Sequence, residues 1–178
     1  LSAKKHYDHQ PIRHNHCRNV EVYMLLFIQW NNSLGVIVMH DVSGFDIEKT
    51  VMGTLGIEII EYTPEKVVAQ MPVTPKVHQP FGLMHGGVSV VIAETVASAG
   101  SYQFVDVNYQ RAVGLEINAN HIRSKASGMV HAVGIPVHIG KRTIIWDIRI
   151  YDEEENLICI SRCTMAVIEI ADKPVTTV

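Results

Sequence analysis

Basic clusters are missing from this chain. Fifteen Lys and Arg stand against eighteen Asp and Glu, a formal net charge of −3, and no five or six basic residues run together. That pattern excludes an electrostatic footprint for nucleic acid and a polybasic membrane patch, so a small molecule is the partner to expect. Cysteine is scarce: three in 178 residues, an odd number, make no disulfide framework. Cys159 and Cys163 sit four apart in a strand-like run, which puts their α-carbons on the order of 13 Å apart and beyond bridging reach. They read as core thiols of a cytoplasmic protein. Long unbroken apolar runs are also lacking. "VYMLLFIQWNNSLGVIVM", residues 22–39, is interrupted by Gln29, Asn31, Asn32 and Ser33 and falls short of the ~18 apolar residues a spanning helix needs. No small-residue cleavage site follows it, which argues against a signal peptide. No Walker loop, Rossmann glycine pattern, HExxH or GxSxG occurs.

What remains, 47% hydrophobic and 19% charged, suits one globular domain with an ordinary core. The chain opens on Leu1, with Met24 and Met39 as internal candidates for a natural start, so residues 1–44 are expected to be an extension outside the fold. The domain is expected over 45–171 and a tail over 172–178. His6, His9, His14, His16 and Cys17 have metal-ligand chemistry but fall in that extension, with no second ligand pair at zinc spacing, so no metal is expected. "FDIEKTVMG" has the apolar spacing of a short helix closed by Gly53. "LGIEIIEYT" and "KVVAQMPV" read as a hairpin, with Val67, Ala69, Met71 and Val73 on one face. After a proline-rich loop, "VSVVIAETVASAGSYQFV" is long and Ala-rich enough for a helix.

Four strands are expected to follow. In "AVGLEINANHI" the odd positions Val113, Leu115, Ile117 and Ala119 would face the core and His121 would end that row; "GMVHAVGIPVHI" reads as a glycine-interrupted strand ending near Pro136. "RTIIWDIRIYD" alternates cleanly, with Ile144, Trp146, Ile148 and Ile150 inward, and the acidic turn at 153–156 leads to "LICISRCTMAVIEI". Strands joined by short turns are antiparallel, and a sheet with one apolar face needs a cover. The fold class predicted is α+β: a curved antiparallel β-sheet wrapped around one long central helix.

Chemistry concentrates at that helix. Gly86 and Gly87 stand where the first helical N–H groups lack acceptors, able to stabilise an oxyanion; for a bare Gly-Gly, close packing or a tight turn is the commoner use. Glu94 is a carboxylate among Val90, Val91 and Ala97, where burial without partners costs several kcal/mol. Ser98 and Thr95 could hydrogen-bond it, and solvent at a helix edge or a pair with Arg123 would equally account for it. Eight residues put Gly86 and Glu94 about 12 Å apart along a helix, too far for both to act on one carbonyl. If both do act on one thioester or ester, the glutamate belongs to a neighbouring subunit across a two-fold axis. His85 reads first as a cap, Gln79 as a donor to a substrate carbonyl or to loop backbone, and His121 as a satisfied core histidine.

"HQPFGLMHGGVSVVIAET", "GLEINANHIRS" and "HIGKRTIIWDIRIYDE" together resemble the hotdog-fold acyl-CoA thioesterases of the PaaI-like group. The similar branch holds the 1,4-dihydroxy-2-naphthoyl-CoA hydrolase of menaquinone biosynthesis, the enterobactin proofreading thioesterase and the 4-hydroxybenzoyl-CoA thioesterases that use a helix glutamate. The resemblance covers residues 47–169 and implies hydrolysis of an acyl-CoA, aromatic by preference, without metal or organic cofactor. It implies Glu94 as nucleophile or general base, the Gly86 amide polarising the thioester carbonyl, and Gln79 and His85 placing it. Ser98 would orient water or hold the carboxylate, with Thr95 beside it. His121, Phe81, Met84 and Val88 would shape the acyl pocket, while Arg123, Ser124, His138, Gly140, Lys141 and Arg142 would meet the CoA nucleotide and phosphates. A homotetramer built as a dimer of dimers is implied as well. A noncatalytic acyl-CoA-binding hotdog module and a hotdog dehydratase or hydratase are the alternatives; only hydrolysis frees CoA.

Overall fold

The computed structural model of the chain describes residues 24–30, 33–39 and 47–170. It forms two compact units, residues 1–45 and 46–178. In the first, β1 (Met24–Trp30) pairs antiparallel with β2 (Ser33–Met39), Trp30 opposite Ser33. Among the described residues no helix is long and apolar enough to cross a membrane. The leader histidines, Cys17 and the 172–178 tail lie outside the described residues.

The second unit opens with a 3₁₀ turn at Ile47–Lys49 and α1 (Val51–Leu55). Gly53, expected to close this helix, lies inside it. A side chain there would press on the preceding turn, 2.6 Å from the Ile47 carbonyl oxygen. The helix ends instead at Gly56, whose φ of 69° is left-handed; the Gly56 and Ile57 N–H groups cap the carbonyls of Gly53 and Met52.

Next come β3 (Glu58–Tyr62), β4 (Val67–Val73), α2 (Gly86–Ser101), β5 (Gln110–His121), β6 (Gly128–Ile139), β7 (Thr143–Asp152) and β8 (Leu157–Glu169). All six strands pair antiparallel in the order β3-β4-β6-β7-β8-β5. The expected inward rows are buried: Val67, Ala69, Met71 and Val73 on β4, and Ile144, Trp146, Ile148 and Ile150 on β7. α2 presents Ser89, Ile92, Ala93, Val96, Ala97, Gly100 and Ser101 to them, the spacing of one helical face. The helix touches β4, β5, β6, β7 and β8. A cylinder ~10 Å across meets only two or three strands of a flat sheet spaced ~4.8 Å apart, so the sheet wraps it. At the helix C-terminal end, the fully buried Trp146 donates its indole N–H to Ser101 Oγ at 2.8 Å. Tyr62 donates to the Ala99 carbonyl at 3.0 Å.

Two strand expectations need correction. β6 does not end near Pro136; a register shift between Pro136 and His138 carries it to Ile139. Gly134 does not interrupt it either, and instead leaves room for the Val96 side chain. On β5 the alternation breaks: Gly114 pairs with Met165 and Glu116 with Thr164, so Leu115 is an extra, bulged residue. Ala112 and Gly114 therefore face inward before the bulge, and Ile117 and Ala119 after it. Val113 and Leu115, expected in the core, are 39% and 64% exposed.

Candidate active site

The loop leading into α2 is tied at four points. Gln79 N–H donates to Leu83 O, Gly82 N–H to Gln79 O, His85 N–H to Val77 O, and Met84 N–H to Lys125 O, at 2.8 to 3.0 Å. Gln79 Oε1 accepts the Phe81 N–H at 2.6 Å, which leaves the Gln79 amide nitrogen, a donor only, for another partner. His85 is the N-cap of α2, and its Nδ1 accepts the Gly87 N–H at 2.9 Å. In the neutral ring the proton is thereby placed on Nε2. The cap uses the amide of Gly87, whereas the N–H of Gly86 meets no acceptor among the described residues. An unpartnered N–H at the positive end of a sixteen-residue helix is a donor directed at incoming negative charge.

A cavity of about 300 Å³ is lined in part by Gly86. Gln79, Met84, Gly86, His121, Arg123 and Ser124, all expected at the site, line it. Leu83, Ser89, Ile122, Lys125 and Ile158 line it too and had not been singled out. Ile122 and Arg123 reach the cavity because their N–H groups both donate to Ile158 O, a residue far along the chain that no local pattern announces as a partner. His121 is exposed rather than buried. Its Nε2 would stand 2.6 Å from a Cβ on Gly86, so the ring lies directly over that glycine. Lys125 is held by Glu153 at 2.6 Å, with Asp152 at 3.8 Å and Glu154 at 3.9 Å, and clamps the cavity's rim to the β7–β8 turn. Phe81 is 88% exposed at the loop tip, and Val88, half-buried, is not part of the lining.

Glu94 lies two turns further along α2, half-buried and outside this cavity. Its carboxylate makes no hydrogen bond or ion pair among the described residues, and the pair with Arg123 is not formed. It rests against β5, where a side chain on Gly114 would overlap Oε1 and stand 3.4 Å from Cδ. Thr95 Oγ1 donates to the Val91 carbonyl at 2.8 Å and is committed to the helix backbone. Ser98, one turn on, is half-buried with no partner for its hydroxyl among the described residues. Beneath them Cys163 is fully buried; burial first, then the charges of Glu94 and Glu116, push its thiol up to about 12. It stays protonated at neutral pH and does not compete as a nucleophile.

His138, Gly140, Lys141 and Arg142 surround the β6–β7 turn, where Gly140 N–H donates to Thr143 O at 2.9 Å. Twelve-residue β6 separates that turn from the Arg123–Ser124 end of the sheet, a span on the order of 35 Å. Within one chain the two expected CoA-facing groups are not brought together.

A six-stranded antiparallel sheet wrapped around one long central helix is the hotdog fold. Residues 81–159 match the family model of the Thioesterase superfamily. ComA2 of Bacillus subtilis is 56% identical over 124 residues, which cover 70% of this chain and 98% of that one. The 1,4-dihydroxy-2-naphthoyl-CoA hydrolase of Listeria monocytogenes is 54% identical over 114 residues, 64% of this chain and 92% of its own. Among solved structures, a variant of thioesterase PA1618 from Pseudomonas aeruginosa matches with a TM-score of 0.68 at 44% identity, covering 70% of this chain and 89% of that one. The chain belongs to the thioesterase superfamily, and it is a hydrolase of that class.

Proposed function

We propose that the protein hydrolyses an acyl-CoA, aromatic by preference, to the free acid and CoA, with Glu94 as the reacting carboxylate. The observation that carries this reading is the state of Glu94: a half-buried acid with neither cation nor hydrogen-bond donor among the described residues. A structural carboxylate would have partners; one that lacks them is available to a substrate or a water. The Gly86 N–H and the Gln79 amide supply the complementary donors. In the general-base route Glu94 takes a proton from water as the water oxygen bonds to the thioester carbon. The carbonyl electrons collect on oxygen opposite Gly86, and collapse of that intermediate breaks the C–S bond and releases CoA thiolate, which is then protonated. In the nucleophilic route a Glu94 oxygen makes the first bond, thiolate leaves, and water hydrolyses the resulting anhydride.

About 12 Å of helix separates Gly86 from Glu94, so the two meet on one bond only if they come from different subunits. β5 supports that assembly: it is a sheet edge with Val113 and Leu115 exposed on it, a surface ready to take a second copy of the strand. Antiparallel pairing of two β5 edges would set the Arg123–Ser124 end of one subunit near the β6–β7 turn of the other, reuniting the groups that one chain keeps apart. A dimer of such dimers is the assembly the resemblance implies. The aromatic preference rests on the named activity of the Listeria relative.

Thiol release from benzoyl-, naphthoyl-, phenylacetyl- and fatty acyl-CoA tests the reading. Glu94→Gln is expected to lower kcat by roughly 10²-fold or more with CoA affinity and melting temperature retained. A purified, folded Glu94→Gln enzyme with most of its activity would remove Glu94 from the reaction, and thiol release confined to fatty acyl substrates would overturn the aromatic preference.

A further inference from the structure

We propose that Gly114 is a positioning residue: its bare α-carbon, turned inward by the β5 bulge, is the seat on which the Glu94 carboxylate rests. This deepens the reading of Glu94 as the reacting acid and rests on it. Three observations converge. Gly114 stands at the register shift, immediately before bulged Leu115, where β5 changes which side chains face α2. A Cβ built on Gly114 meets first Glu94 Oε1, inside contact distance, and then Glu94 Cδ at 3.4 Å; no other group comes within the nearest contacts. Glu94, finally, has no donor or cation among the described residues to orient it, so its direction is set by packing alone.

Gly114 differs in this from Gly100, whose added Cβ would collide with the rigid, fully buried indole of Trp146, 2.5 Å from Cζ2. At Gly114 the obstructed atoms are the far end of a flexible side chain on a half-buried residue. The fold can accept a methyl there by rotating Glu94 away, and the cost falls on catalysis instead of stability. Had the alternation continued without the bulge, a side chain of β5 would occupy this seat.

The test uses the full-length protein and a thiol-release assay. Gly114→Ala is expected to keep the wild-type melting temperature and KM while kcat falls about ten-fold or more, since displacing a reacting group by ~1 Å can cost 10²-fold. Glu94→Asp withdraws the carboxylate by one methylene. In that background Gly114→Ala is expected to cost less than about two-fold, a non-additivity that marks direct contact. A folded Gly114→Ala enzyme with kcat near wild type overturns the proposal, as does an equal fold-loss in the wild-type and Glu94→Asp backgrounds. If Gly114→Ala fails to fold, Gly114→Ala/Glu94→Ala should fold again, because the clashing partner is gone; continued misfolding overturns the proposal. Activity retained by Glu94→Gln would sink the underlying reading, whereas Gly114→Ala active beside an inactive Glu94→Gln would sink this inference alone.

Discussion

His121 Nε2 and Gly86 meet at the helix entrance with no space for a methyl group between them, 2.6 Å from where a Cβ would sit. Gly86→Ala retains the backbone N–H but must push the His121 ring aside and narrow the approach to that N–H. The expected result is a kcat lower by about ten- to a hundred-fold with the melting temperature preserved, checked by thiol release alongside thermal unfolding; an unchanged kcat would detach the Gly86 amide from the oxyanion. The glycine pair was readable from "HGG" as an opening with free amides, but which amide stays free was not. The cap bond from Gly87 to His85 Nδ1 decides it. His121, in turn, reads from alternation as the end of a buried row; it keeps the parity of Ile117 and Ala119 but is the last residue of β5 and is exposed there, while the bulge that turns Val113 and Leu115 outward is a property of the β5–β8 pairing rather than of β5 alone.

α2 is held between two different kinds of anchor. Its C-terminal half is buttressed by Trp146 on Ser101 and Tyr62 on Ala99, while its entrance depends on the Lys125 clamp through the Met84–Lys125 backbone bond. In the β7–β8 turn burial works against the charge of Asp152, but donors from Asn156 and the Glu154 N–H, with Lys125 nearby, hold its carboxyl below its ordinary value. Glu153 is lowered chiefly by its bond to Lys125, and Lys125 is raised chiefly by the same bond. Lowered acids contribute stability that is present above their unfolded value of about 4 and lost as pH falls through the lower folded value. The raised lysine contributes stability present below about 10.4 and lost as pH rises through its folded value. Urea midpoints should therefore fall from pH 7 to pH 3, and Lys125→Met should lower the midpoint at pH 7 and flatten that acid limb. An acid limb as steep as wild type would show that the clamp does not couple to folding. The turn itself was legible in "EEEN"; its attachment to a lysine 28 residues earlier was not.

In the proposed reaction, the separation of Glu94 from Gly86 and the separation of Arg123–Ser124 from the β6–β7 turn would share one remedy, a second copy at the β5 edge. Mixed subunits make this measurable. A Glu94→Gln chain and a Gln79→Ala/Gly86→Ala chain, each inactive alone, are expected on random reassociation to recover about one quarter of wild-type activity, because half the dimers are mixed and one of their two sites is intact. No recovery, with mixed dimers confirmed by mass, would mean that each chain carries its whole site.

Composition and periodicity by themselves determined the α+β class, which faces of β4 and β7 are buried, that the apolar stretch after His85 is the central helix, and that Glu94 is out of place in it. Those features depend on side chains a few residues apart along one element, where spacing alone dictates which face is apolar. Tertiary structure decided the rest: that β5 bulges at Leu115, that Gly114 thereby receives the Glu94 carboxylate, that His121 covers Gly86, and that Lys125 and Ile158 shape the cavity. Each of these is set by pairing between strands distant in sequence, and a one-residue shift in register exchanges the two faces of a strand.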